Sequence, residues 1–114
     1  MILQILKVIG CVGTILTGLL GAFRPSAVPG FTGVKPTGPR GVTEIRSIFG
    51  GLFIGVGAFP LVLNAPVAYQ MLGVMYLAIA AARLVSMLVD GSLRESSNII
   101  SLAVEIVFGV LLVL

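Results

Sequence analysis

Four apolar runs, each close to the length of a membrane span, alternate with short polar stretches along the chain. A helix needs about 20 such residues to cross hydrocarbon, because each residue advances the chain by only ~1.5 Å. The runs predict spans over about 2–23, 43–63, 67–89 and 97–114, with one long connection at 24–41. The expected fold class is all-α, a four-transmembrane-helix antiparallel bundle forming a single integral membrane domain over 1–114.

The first run carries Lys7 as its only charge and stops at Arg24 and Pro25. A cleaved signal peptide is the competing reading. The apolar stretch after Lys7 is as long as a signal core can be, and no small-x-small cleavage pattern follows it directly, so the run is read as a retained span.

The connection RPSAVPGFTGVKPTGPRG holds four prolines and four glycines, which forbid a long helix and favour turns. Backbone without internal partners cannot face lipid, so this loop must lie in water, in headgroups or against protein. The second run begins at Thr43, a candidate cap, with Glu44 near the positive end of the helix dipole. Pro60 is expected to bend its far end. Asn64, Ala65 and Pro66 make a tight connection, so the third span is expected to run antiparallel beside the second. The polar turn DGSLRESSN, residues 90–98, then leads to a fourth span capped by Ser96 or Ser97.

Composition agrees with lipid as the solvent: 58% of the 114 residues are hydrophobic, 10% are charged, and the mean hydropathy is +1.20. Histidine is absent and Cys11 is the single cysteine, so disulfides, thiolate metal sites and imidazole ligation of a cofactor are excluded within one chain. No cofactor is expected, and Cys11 reads as a small buried side chain. The net charge of +3 is spread over loops and helix ends rather than gathered into a run, which argues against a nucleic-acid partner. Its meaning is topological. Arg24, Lys35, Arg40 and Arg94 fall in the loops 24–41 and 90–98, so the positive-inside rule places both loops in the cytoplasm and both termini outside, in a multi-pass inner-membrane protein.

Two charges lie inside the spans. Arg83 precedes Asp90 by seven residues, roughly 10 Å along the helix, and Glu105 follows Ser97 by eight, roughly 12 Å, so their depths match. Either charge facing lipid alone costs about 2.5 kcal/mol or more, and an opposite partner removes much of that penalty. An Arg83–Glu105 ion pair is expected inside the protein. Tyr69, Tyr76, Arg83 and Asp90 recur at heptad spacing, a single polar stripe that must look inward. Asn98, Ser101, Glu105 and Gly109 form a matching stripe on the fourth span, Gly10, Thr14, Thr17 and Gly21 one on the first, and Glu44, Ser47, Gly51, Gly55 and Ala58 one on the second. Gly51 and Gly55 are expected to pack helix against helix.

Glu44 shares that small-residue face and is expected to join an intramembrane cluster with Tyr76, Arg83, Asp90 and Glu105. Arg46 points elsewhere on the helix and is read as reaching headgroups, as are Arg24, Lys35 and Arg40. A structural clasp is the favoured reading of the cluster, and a polar pocket or proton path is the rival.

At EIRSIFGG (44–51), the Arg83 to Asp90 span and Glu105, nearly the whole chain resembles a family of small, uncharacterised four-helix bacterial integral membrane proteins. The resemblance rests on Glu-x-Arg followed by Gly-Gly at the start of helix two, here Glu44, Arg46, Gly50 and Gly51, and on an arginine late in helix three, here Arg83. It implies a fold and no assigned activity. Small multidrug transporters share the length and helix count, but their coupling carboxylate lies in the first helix, where this chain has only Lys7.

The expected function is non-enzymatic: an accessory or scaffold subunit that binds membrane lipids and a larger membrane-protein complex or further copies of itself. The alternative is a small homodimeric proton-coupled transporter or channel using Glu105 and Glu44. An enzyme acting on a lipid headgroup is weakest, because no nucleophile and base pair is visible.

Overall fold

The computed structural model describes residues 1–114 and is all-α. Four helices are long and apolar enough to cross a membrane: α1 (Ile2–Phe23), α3 (Pro39–Leu63), α4 (Pro66–Val89) and α5 (Ser96–Val113). A short α2 (Val28–Thr32) lies in the long connection behind a 3-10 turn at Pro25–Ala27. Gly33, at φ 74°, ends α2 in the left-handed conformation, and its N–H donates to the Pro29 carbonyl.

Several helix ends differ from the sequence expectation. The third helix starts at Pro39, with Gly38 before it, because proline at the first helical position sacrifices only an N–H that has no partner there. Thr43 therefore lies inside the helix and donates back to the Pro39 carbonyl instead of capping. α5 starts at Ser96 with Glu95 ahead of it, and no side chain closes that end. Asn64 takes a left-handed φ of 50°, which asparagine tolerates, and Ala65 is extended as a residue before proline must be.

The chain divides into two compact units. In the unit Val8–Leu63, α1 and α3 run antiparallel with backbones in close approach. Gly18 sits against Gly50 and Ile54, Gly21 against Phe49, and Gly57 against Cys11 and Ile15. A Cβ on Gly50 would lie 2.7 Å from the Ala22 nitrogen, too near for any side chain. Cys11 and Thr14 are buried in this seam.

Gly51 and Gly55 are not in it. A Cβ at Gly55 would meet nothing within 4 Å, and at Gly51 only the Arg46 carbonyl at 4.0 Å. Both are exposed, as are Glu44 and Ser47. The physical reason is the segment Ile45–Leu52, which is a π-helix. Its hydrogen bonds skip five residues instead of four, so its buried pair, Ile45 and Gly50, is five apart and a reading at α-helical period selects the wrong face. Pro60 is buried inside α3, and the helix continues past it to Leu63.

The second unit comprises Asn64–Leu114 with Met1–Lys7. Here α4 and α5 are antiparallel across the turn at Asp90–Glu95, with Gly73 against Gly109, Leu112 and Val113, and Gly109 against Leu77. The buried positions of α4, namely Ala68, Tyr69, Leu72, Gly73, Tyr76, Ala80 and Met87, recur mostly at three, four and seven residues, the stripe of one helix face. Glu105, Gly109 and Leu112 are the buried positions of α5.

Candidate functional site

The centre of the second unit's polar chemistry is Arg83, midway along the turn-side half of α4. Its Nε donates to both Glu105 oxygens, at 2.8 and 3.1 Å, and its Nη2 donates to Oε2 at 2.7 Å. This is a forked, charge-assisted pair, the geometry that the planar guanidinium favours. Glu105 is 7% exposed, so removing the guanidinium would strand a carboxylate among apolar helices. The Arg83 side chain is 29% exposed and opens to one side.

Asn98, in the first turn of α5, ties this pair to the turn. Its Oδ1 accepts from Arg83 Nη1 at 3.0 Å and its Nδ2 donates to the Ser92 carbonyl at 3.3 Å. Beside them lies an open recess of about 360 Å³ lined by Ile79, Ala82, Arg83, Ser86, Met87, Ser92 and Asn98. Asp90 is exposed and stands outside the pair; its carboxylate accepts from the Ser86 hydroxyl at 2.6 Å. Tyr76, one heptad before Arg83, is buried with its ring 6.5 Å from that of Phe108.

Glu44 belongs to the other unit and pairs there with Arg40, one turn earlier on the same helix. Both side chains are exposed, so this pair adds little stability. Within its own unit, then, the contact of Glu44 is a local i,i+4 pair. Arg46 is exposed, and its Nη1 donates to the Ala22 carbonyl at 2.5 Å. That carbonyl is in the last turn of α1, where no intrahelical donor remains and a cation is favoured by the helix dipole. Arg24 and Lys35 are exposed, and Lys35 borders a recess of about 280 Å³ formed with Val34, Pro36, Ile45 and Phe49.

A further polar group has no counterpart in the sequence reading. Lys7 is only 8% exposed, with its Nζ 5.9 Å from the centre of the Tyr69 ring. The Tyr69 hydroxyl accepts from Gln4 Nε2 at 3.2 Å and donates to Asn64 Oδ1 at 3.3 Å. Cation–π contact and a lysine stem along apolar neighbours explain how α1 carries this charge. The signal was present as the i,i+3 spacing of Gln4 and Lys7, but nothing in it specified a tyrosine partner.

A helical membrane protein with four spans and one forked ion pair inside a helix pair is the class that fold and site define. The chain belongs to a family, the domain of unknown function DUF4345, whose model matches residues 2–114. No curated protein and no solved structure matches it.

Proposed function

We propose that this protein is a non-enzymatic accessory or scaffold subunit that binds another component of the bacterial inner membrane, a membrane protein or lipid. The observation that carries the reading is the use of its buried charge. Both Glu105 oxygens are occupied by Arg83, so the one deeply placed carboxylate locks α4 to α5 rather than standing open to a substrate. Outside, the helices present long apolar side chains such as Leu16, Phe59, Val85 and Val107, a surface suited to lipid or a partner's helices.

The cations of the two connections support an orientation with the loops at 24–41 and 90–98 in the cytoplasm and both termini outside. Arg24, Lys35, Arg40 and Arg46 then meet anionic headgroups on that side. Purification from native membranes in mild detergent tests the role. A stoichiometric membrane partner is expected, and recovery as a bare monomer contradicts it. Proton flux in liposomes that Glu105→Gln abolishes would replace this reading with a transporter.

A further inference from the structure

We propose that the recess beside Arg83 binds a phospholipid whose zwitterionic headgroup carries an ammonium, with its phosphate on Arg83 and its ammonium on Asp90. This deepens the proposed function by naming a lipid component, and it rests on that reading only for placing the 90–95 turn at the membrane surface.

The lining of the recess is divided in the way an amphiphile requires. Ile79, Ala82 and Met87 supply apolar wall, while Arg83, Ser86, Ser92 and Asn98 supply polar groups. Seven residues of helix separate Arg83 from Asp90, roughly 10 Å, which sets the recess at the depth where headgroup gives way to acyl chain. A volume of about 360 Å³ suits a headgroup and the first carbons of its chains rather than a whole lipid.

The guanidinium is built to accept a second anion. Each terminal nitrogen carries two N–H groups; Nη1 donates one to Asn98 and Nη2 one to Glu105, which leaves one on each. The Arg83 side chain is held by Glu105 and Asn98 yet remains 29% exposed where it borders the recess. Each remaining N–H on this held guanidinium can donate to a phosphate oxygen.

Charge balance selects a zwitterion over a plain anion. This end of the helix pair holds two cations, Arg83 and Arg94, and three carboxylates, Asp90, Glu95 and Glu105. Glu105 already neutralises Arg83, so a headgroup with only negative charge gains little, while one with an added ammonium meets Asp90. Ser86 lines the recess and donates to Asp90 Oδ2, which fixes that carboxylate next to it.

The test is lipid retention by the full chain in detergent, read by native mass spectrometry with four additives: phosphatidylethanolamine, phosphatidylglycerol, diacylglycerol and inorganic phosphate. The expected result is one retained phosphatidylethanolamine, held better than the other three. Ala82→Phe fills the recess without touching the ion pair and is expected to cut retention about tenfold. Asp90→Asn should weaken phosphatidylethanolamine by about tenfold and leave phosphatidylglycerol unchanged. Retention unaffected by Ala82→Phe overturns the site, and phosphatidylglycerol, diacylglycerol or phosphate binding as well as phosphatidylethanolamine overturns the ligand. Loss of a protein partner in native extraction leaves both readouts unaffected, so the two proposals fail separately.

Discussion

The two units solve the same problem, joining antiparallel helices in lipid, by different means. In Val8–Leu63 the seam is made of backbone: Gly18 and Gly50 bring α1 and α3 so close that no side chain fits between them. In Asn64–Leu114 the helices also meet at glycines, Gly73 and Gly109, but one end is held by the Arg83–Glu105 pair and its Asn98 tie. Lipid offers no hydrophobic drive between helices, so association rests on close packing and on polar groups with nowhere else to go. The first unit uses mainly the former and the second uses both. Its buried charge therefore makes one seam intolerant of chemistry where the other is intolerant of volume.

The largest effect should come from Arg83→Leu, which leaves Glu105 without its partner. A loss of about 3–5 kcal/mol is expected in reversible unfolding from detergent, or a failure to accumulate in membranes. The corresponding volume lesion, Gly50→Leu, forces a side chain onto Ala22 backbone and should destabilise by about 1–3 kcal/mol, while Gly51→Leu beside it should be nearly neutral. A penalty at Gly51 equal to that at Gly50 would mean that the π-helical face is wrongly set. Asn98→Ala removes one bond to a charged group and should cost about 1.5 kcal/mol in the same assay, sharpening how much of the clasp lies outside the ion pair. Smallest is Arg46→Ala, which loses an exposed contact at the end of α1 and should shift stability by no more than about 1 kcal/mol.

The four spans are legible in the chain because hydrocarbon thickness sets their length and each boundary is marked by proline, glycine or charge. Helix starts are harder to read at Pro39 and Ser96, where the chain enters the helix earlier than a cap at Thr43, or at Ser96 or Ser97, implies. That Arg83 and Glu105 meet is legible because both lie about two turns from one short connection, so antiparallel helices bring them level. Gly51 and Gly55 mislead because periodicity assumes α-helical phase, and the π segment Ile45–Leu52 shifts it. The Lys7–Tyr69 contact and the Arg46–Ala22 bond join residues far apart in the chain, and their geometry depends on helix rotation that spacing does not encode.

The central claim is that Arg83 and Glu105 serve as a clasp whose value lies in each other. Exchanging them measures this directly: Arg83→Glu and Glu105→Arg singly, then together, in one unfolding assay. The account predicts that both single variants are strongly destabilised and that the double variant recovers part of the loss. A double variant as unstable as the sum of the two singles contradicts it.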